Sequence, residues 1–333
     1  MGPTLNRQLA QFVHNLDYDD VPKPVVERVR NIVLHDLAVA LASYDIETAQ
    51  VAIDVAKEEG GGRGEATIIV DGTKITTEWA AFANATLCHS REEQDIYHEG
   101  LLHPGIITIP AVLATGEKLG ATGKELLTAI IAGFEVAARL SKGFCKLAAA
   151  RGHRSTPTFG VSAVAAAVAK LLGLSEDKLV YSLGWGANLA FSVSQCGVSK
   201  TPEMPIQVGL TSQLGIIAAQ LGKAGAITAE DMLEGTRGLY FKICGSAEGT
   251  EGITSGLGQE YWMMDTYYQH YPVGGIVESP VQAVLALVLE NRINPEEIEE
   301  IQILQPGADA PIAGGGAGLK PGLTSVPYCV SVA

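Results

Sequence analysis

Proton-transfer side chains are concentrated in one segment of the sequence, residues 88–105. They comprise three histidines, three glutamates and one aspartate: His89, His98, His103, Glu92, Glu93, Glu99 and Asp95. Imidazole and carboxyl groups often act as general acids and bases. His103 is followed by Pro104 at the expected start of an apolar helix, so its ring should have a fixed direction and a lowered pKa. The segment therefore predicts acid–base chemistry, and the alternative interpretation is a solvated acidic loop.

Two more polar segments each come directly before an apolar helix, one around Arg154 and one beginning near Lys200. The first also contains Arg151 and His153. Arginines next to the free amides of a helix start favour an anion site. A capping loop with surface arginines is the alternative. We predict that the three polar segments converge at one end of a helical bundle.

Other motifs in the sequence do not support a cofactor or a metal. The glycine-rich run at 60–64 precedes a predicted strand, whereas a phosphate-binding loop follows a strand and opens a helix. The run at 314–320 contains a lysine but lacks the Walker spacing. His98 and His103 are five residues apart and do not share a helix face, which disfavours a helical zinc motif. We therefore predict no cofactor and no metal site.

The composition disfavours several classes of partner. Asp and Glu outnumber Lys and Arg by 37 to 23, a net charge of −14, which disfavours nucleic acid and anionic membranes as partners. An anionic substrate would then need a local cluster of positive charge. Five widely spaced cysteines without a C-x-x-C pair indicate a reduced, cytoplasmic protein. No apolar run reaches the roughly 18 residues that indicate a membrane helix.

The elements that must position these groups are predicted to be mainly α. Apolar periodicity and capping residues predict helices at 4–15, 22–44, 77–87, 122–140, 161–172, from 175 onward, 211–221 and 228–233. A small β-hairpin, the one strand pair expected, is predicted over 66–77 with a two-residue turn at Asp71-Gly72. The Ala- and Val-rich helix at 161–172 should be buried nearly all round. So much apolar helix surface also predicts a homodimer.

The sequence changes character after about residue 267. We predict a large helical domain over 1–267 and the beginning of an α+β lid domain over 268–333. The expected lid elements are a helix at 278–290, a strand at 300–304 and a loop at 306–322. Residues 326–333 are apolar and have no polar ending, so we expect the lid domain to be truncated at its C-terminus.

Many ordered stretches of the sequence resemble the MmgE/PrpD family, which includes 2-methylcitrate dehydratase, cis-aconitate decarboxylase and iminodisuccinate epimerase. Among them are Ala80-Ala-Phe-Ala-Asn-Ala-Thr-Leu-Cys-His89, His103-Pro-Gly, Thr158-Phe-Gly160 and Ser325-Val-Pro-Tyr-Cys-Val330. Further matches lie at 9–42, 120–135, 171–174, 209–221, 233–235 and 271–272. The resemblance implies a large helical domain and a lid that continues beyond the length of this chain.

The resemblance also implies a reaction that begins with removal of a proton α to a carboxylate, without a metal or organic cofactor. His103 matches the family's catalytic histidine, and Asp95 meets one of the family's aspartates. The family's second histidine aligns with Arg154, and His153 is one position away. The family's lysine falls on Met204.

These matches give each candidate site residue a role. His103 and Asp95 are predicted to transfer protons, with His98 or His153 as a second acid. Four residues are predicted to bind the substrate: Arg154, Arg151, Lys200 and Tyr271. The predicted partner is thus a small-molecule polycarboxylate.

Three functions remain open. The first is a hydro-lyase of the dehydratase type, acting on a small hydroxy-polycarboxylate such as a 2-methylcitrate-like acid. The second is an isomerase, epimerase or decarboxylase of a related di- or tricarboxylate, because Arg154 replaces an acid–base group with an anion-binding one. The third is a non-catalytic family member, which the altered lysine position and the short C-terminal part favour.

Overall fold

The computed structural model describes residues 2–199, 201–304 and 325–333, and the fold in these ranges is mainly α, as predicted. The helices are α1 (Leu5–Asn15), α2 (Lys23–Ala42), α3 (Glu47–Glu59), α4 (Thr77–His89), α5 (Pro104–Leu119), α6 (Gly123–Ser141), α7 (Cys145–Ala150), α8 (Ser155–Leu171), α9 (Glu176–Asn188), α10 (Gln195–Ser199), α11 (Met204–Ala224), α12 (Leu239–Cys244), α13 (Gly275–Asn291) and α14 (Val326–Val332). None of the helices in these ranges is long and apolar enough to cross a membrane.

The main core is built around α8. This helix packs against α6, α9 and α11, and α11 also contacts α4. Residues 155–169 are all buried and residues 170–172 are half-buried, which confirms the prediction of a helix buried nearly all round. Small residues permit this close packing: a Cβ on Gly215 of α11 would lie only 2.3 Å from Val164 Cγ1. The Gly and Ala content therefore serves helix–helix contact.

Two predicted helix starts are confirmed by their capping bonds. The Thr4 side chain accepts a hydrogen bond from the backbone N–H of Arg7, at the start of α1. Thr122 and Glu125 form a complete capping box at the start of α6. Such bonds satisfy amide groups that have no partner inside the helix. These local patterns could be recognised because they involve residues only three positions apart.

The structure corrects the predicted β-structure in two respects. The hairpin forms, as β1 (Ala66–Thr67) antiparallel to β2 (Lys74–Ile75), but its turn is not the two-residue turn expected at Asp71-Gly72. A hydrogen bond from Ile68 N–H to the Thr73 oxygen closes a longer loop, with positive φ at Val70 and Gly72. A second antiparallel pair, unforeseen in the sequence, joins β3 (Asp95–Tyr97) to β4 (Thr266–Tyr268).

Two predicted elements are wrong. Residues 228–233 form an irregular turn instead of a helix, and residues 300–304 form no strand. A strand needs a hydrogen-bonded neighbour, and none of the described residues pairs with 300–304. The loop predicted at 306–322 lies outside the described residues.

The C-terminal part has a small core of its own. Helix α13 covers the helix predicted at 278–290 and packs against α14. Their apolar cluster comprises Val273, Val277, Val281, Val326, Cys329 and Val330. The division into domains at residue 267 stays a prediction, and β3–β4 pairing connects the two sides of this boundary.

Candidate functional site

Asp95 lies at the centre of the polar segment and is fully buried. Its carboxylate accepts hydrogen bonds from the backbone N–H groups of Gly105, at 2.7 Å, and Ile106, at 3.3 Å. These amides belong to the first turn of α5, where the helix leaves N–H groups unpaired and favours negative charge. Burial raises the pKa of Asp95 to about 7, although the two amide bonds act in the opposite direction.

His103 lies directly before α5 and is held by a contact with Asp95 of β3. Its Nδ1 atom lies 2.6 Å from the main-chain oxygen of Asp95. Because a carbonyl oxygen can only accept, Nδ1 carries the proton and Nε2 keeps a lone pair. Burial lowers the pKa of His103 to about 4, with the charge of Arg154 acting in the same direction. His103 is therefore a neutral imidazole at neutral pH, with Nε2 available as a base.

A second buried carboxyl group, Asp36 of α2, contacts this centre and was missed in the sequence. Its Oδ1 atom accepts the backbone N–H of Asp95 at 3.3 Å, and its own side chain is fully buried. The pKa of Asp36 is raised well above its usual value by burial and by the nearby charge of Asp95. Asp36 lies on the same buried face of α2 as Val29 and Ile32, and this helical spacing was the signal available in the sequence.

Arg154 supplies the positive charge of the site. Its guanidinium donates hydrogen bonds to Gln207 Oε1, at 2.7 Å, and to the Met204 oxygen, at 3.3 Å. Its backbone N–H donates to Ser192 Oγ at 2.7 Å. Among the described residues, no carboxylate forms an ion pair with Arg154, and burial lowers the pKa of the guanidinium.

His89, the last residue of α4, connects Arg154 to His103. The His89 and His103 ring centroids are 5.5 Å apart, and Arg154 Nη2 lies 3.4 Å from His89 Nε2. Burial, followed by the charge of Arg154, lowers the pKa of His89 well below its usual value. A neutral His89 can accept a hydrogen bond from the guanidinium through Nε2. The imidazoles and the arginine thus form one continuous polar cluster.

Glu92 adds a buried carboxyl group to this cluster. Its backbone has a φ of 59°, an uncommon conformation for a residue with a side chain. Burial raises the pKa of Glu92, while the charge of Arg154 acts to lower it. The Gln94 amide interacts with both Glu92 and His89. Glu92 is therefore an electrostatic neighbour of Arg154, without being close enough to form an ion pair.

The predicted convergence of the three polar segments is confirmed by their hydrogen bonds. The His103 N–H donates to Thr156 Oγ1 at 3.3 Å, which joins the first segment to the second. The bonds from Arg154 to Met204 and Gln207 join the second segment to the third. All three segments precede or open buried helices, so the polar cluster lies at one end of the bundle.

The other predicted site residues lie elsewhere or outside the described ranges. His98 is exposed and stacks on Tyr267, with ring centroids 6.4 Å apart. His153 is partly buried in the turn before α8, and Arg151 is exposed beside Gly245. Tyr271 packs against the small C-terminal core, and Lys200 lies outside the described residues. In the described residues, no three or more His, Cys, Asp or Glu side chains are grouped to hold a metal ion.

The sequence comparison decides the family. The model of the MmgE/PrpD N-terminal domain matches residues 7–250, which contain every residue of the polar cluster.

The chain belongs to the MmgE/PrpD family.

Two known proteins are similar to most of this chain. Cis-aconitate decarboxylase of Aspergillus terreus is 26% identical over 316 residues, covering 89% of this chain and 64% of the relative. A cis-aconitate decarboxylase-like protein of Aspergillus oryzae is 25% identical over 286 residues, covering 80% of this chain and 58% of the relative. The chain thus spans less than two thirds of the length of these relatives.

Proposed function

We propose that this MmgE/PrpD protein is a lyase that acts on a small polycarboxylate through proton transfer at a carbon next to a carboxylate. The observation that carries the proposal is that two half-buried groups lie in one polar cluster, joined through His89. They are the neutral imidazole of His103 and the guanidinium of Arg154, which forms no ion pair with a carboxylate among the described residues. A carbon acid of this type is weak, so it needs a base within reach and a cation that stabilises the enolate.

The base is His103 through Nε2. Its Nδ1–H bond to the Asp95 oxygen supports this assignment, because it fixes both the tautomer and the ring direction. Proton abstraction breaks the C–H bond, transfers the proton to Nε2 and leaves the electron pair in the enolate. In a dehydration, this pair forms the alkene as the β-hydroxyl group departs and takes up a proton to become water.

The substrate carboxylate binds Arg154. A half-buried guanidinium without a carboxylate partner has lost part of its hydration, and an incoming carboxylate would supply the missing charge with bidentate hydrogen bonds. This arrangement also answers the problem posed by the net charge of −14, because the positive charge is concentrated where the substrate binds. Arg154 donates to the main-chain oxygen of Met204, the position at which the family's lysine was expected, so one cation is retained there.

The second proton-transfer group is Glu92 or one of the histidines. Burial raises the pKa of Glu92, and its charge interacts with that of Arg154, which supports an acid close to the bound carboxylate. His153 and His98, the acids proposed from the sequence, remain alternatives, although the exposure of His98 weakens its case. Lys200, Arg151 and Tyr271 remain proposals as additional contacts to the substrate.

Dehydration of a 2-methylcitrate-like acid and decarboxylation of a cis-aconitate-like acid are the two outcomes of this chemistry that we propose. The names of the two relatives favour decarboxylation. In that reaction a C–C bond breaks, carbon dioxide leaves, and an acid protonates the carbon that receives the electron pair. The two reactions therefore differ in the atom that the acid protonates, which is the departing hydroxyl oxygen in dehydration and a carbon in decarboxylation.

The test is incubation of the purified chain with 2-methylcitrate, citrate and cis-aconitate. A dehydratase increases the ultraviolet absorbance of the alkene, whereas a decarboxylase releases carbon dioxide from cis-aconitate. Exchange of substrate hydrogen in heavy water without net conversion would indicate an isomerase or epimerase. Absence of conversion, exchange and binding with all three acids would contradict the proposal and favour a non-catalytic family member.

We further propose that the protein acts in the cytoplasm as a homodimer and needs no cofactor. The large amount of apolar helix surface predicted from the sequence supports an association between copies. Sedimentation should give the mass of two chains, and a monomer mass would contradict this proposal. Activity should persist after treatment with a metal chelator and dialysis.

A further inference from the structure

The pair formed by Asp36 and Asp95 has an arrangement that two ionised carboxylates could not keep. Asp36 Oδ2 and Asp95 Oδ1 lie 2.1 and 2.8 Å from the same point, the position that a Cβ on Gly105 would occupy. Both side chains are fully buried. In the described residues, neither carboxyl group forms an ion pair with Lys, Arg or His. Two adjacent buried charges of the same sign repel, so such pairs hold a proton.

The hydrogen bonds show which member carries the proton. Asp95 accepts the N–H groups of Gly105 and Ile106, which stabilise its charged form at the N-terminus of α5. Asp36 receives one bond, from the Asp95 N–H to Oδ1, and no donor among the described residues reaches its Oδ2 atom. Oδ1 is thus the carbonyl oxygen of a carboxylic acid, and Oδ2 is its hydroxyl oxygen, facing Asp95.

The other titratable groups that face the pair do not supply a compensating charge. Cys88 of α4 donates its thiol to the Asp36 main-chain oxygen at 3.7 Å, and burial raises the pKa of that thiol, so it stays neutral. His103 contacts Asp95 through the main-chain oxygen and is itself held neutral by burial. Tyr268 of β4 lies opposite Asp95 in the strand pair. The pair therefore carries one negative charge and one proton.

We propose that Asp36 is a positioning residue, whose protonated carboxyl group donates to Asp95 and so fixes the strand that holds His103. In this arrangement Asp36 Oδ1 accepts the backbone N–H of Asp95, and the proton on Oδ2 is donated to the Asp95 carboxylate. Asp95 presents its main-chain oxygen to His103 Nδ1 and its carboxylate to the first turn of α5. Asp36 thus acts on the base through Asp95 and does not touch the substrate. The effect on catalysis rests on the function proposed above, whereas the bound proton does not.

The first experiment detects the proton without any substrate. Infrared or NMR spectra of the purified chain, with isotope-labelled aspartate, should show one protonated aspartate carboxyl group at a pH of about 8, above the pKa of about 7 of Asp95. This signal should disappear in Asp36→Asn, because asparagine retains the Oδ1 acceptor and replaces the Oδ2 hydroxyl with an N–H donor. A wild-type spectrum with only ionised aspartates, or a protonated signal that persists in Asp36→Asn, would overturn the proposal.

The second experiment measures positioning. Asp36→Ala should lower kcat by about 100-fold with little change in KM, the scale expected for a misplaced catalytic group. Asp36→Asn should restore most of kcat, which a role in proton transfer would not allow. Val29→Ala, a buried change about two turns earlier on the same helix, controls for a loss of stability and should leave kcat unchanged. Equal losses in Asp36→Asn and Asp36→Ala would contradict positioning.

If Asp36→Ala does not fold, the spectra and kinetics of Asp36→Asn still decide the proposal. If the wild type converts none of the substrates, the function proposed above fails, and nitrogen NMR of the histidine rings replaces kcat as the measure of positioning. His103 should then be the Nδ1–H tautomer in the wild type and in Asp36→Asn. A different tautomer in the wild type would contradict the arrangement.

Discussion

Arg139 is fully buried and Arg154 is half-buried, and the groups that surround the two guanidinium groups differ. Arg139 of α6 forms an ion pair with Glu135, with Nε 2.5 Å from Oε1. It also donates to the main-chain oxygens of Ile253, Ser255 and Glu260, and its guanidinium stacks on Trp262 at 4.4 Å. Every direction around this guanidinium is occupied by the protein itself.

Arg154 has a different environment. Its partners are an amide oxygen, a main-chain oxygen and a neutral imidazole, none of which carries a full charge. A buried charge is stable when a counter-charge compensates it, as Glu135 does for Arg139. Arg139 therefore fixes the 253–262 region to the bundle, whereas we propose that Arg154 binds an anion.

The largest effect is expected from Arg139→Ala. It leaves the buried carboxylate of Glu135 without its cation and three main-chain oxygens without the donor that Arg139 provides. Breaking a buried pair in this way costs about 3–5 kcal/mol of folding free energy. Urea unfolding should show this loss, or the variant should be insoluble. Arg237→Ala, at an exposed arginine, is the matched control and should change stability by less than about 0.5 kcal/mol.

Arg154→Ala should instead act mainly on binding. Loss of a charge-assisted contact of about 1.5–3 kcal/mol corresponds to a KM that is raised roughly 10- to 100-fold, with a smaller change in kcat. Steady-state kinetics with the best polycarboxylate of the substrate screen would measure it. Because no carboxylate is left unpaired, the loss of stability should be smaller than in Arg139→Ala.

Two further variants sharpen the test of Arg154. Arg154→Lys should recover part of the affinity, since it keeps the charge and loses the bidentate geometry. Arg151→Ala removes an exposed arginine that lies beside Gly245 and should raise KM far less. Equal KM values for Arg151→Ala and Arg154→Ala would contradict the assignment of the main carboxylate contact to Arg154.

A smaller effect is expected in the pH dependence of kcat/KM, and it arises from His103 of the same polar cluster. Burial lowers the pKa of His103 to about 4, so the base remains unprotonated well below the usual histidine range. kcat/KM should therefore fall on the acid side only as the pH approaches about 4. The unfolded chain binds this proton at a higher pH, so the contribution of His103 to stability should decrease as the pH falls from about 6.5 towards 4. An acid limb of kcat/KM near 6.5 would contradict the buried, neutral base.

The sequence predicted those parts of the site that depend on local order. His103 could be identified because it stands between a polar segment and Pro104, and helix starts such as Thr122 depend on residues three positions away. Asp36, which is 59 positions from its partner Asp95, could not be linked to the site in this way. The pairing of β3 with β4 likewise joins residues about 170 positions apart, and no local pattern specifies it.

The central claim is that His103 is the base of a site in which Arg154 binds the substrate carboxylate. The most direct measurement is the rate of hydrogen exchange or conversion of a saturating polycarboxylate in heavy water, followed by NMR in the wild type and His103→Ala. His14→Ala, at an exposed histidine of α1, is the control. We expect His103→Ala to lower the rate by about 10²–10⁴-fold, as for a lost general base, while His14→Ala retains it. A rate in folded His103→Ala equal to that of the wild type would contradict the account.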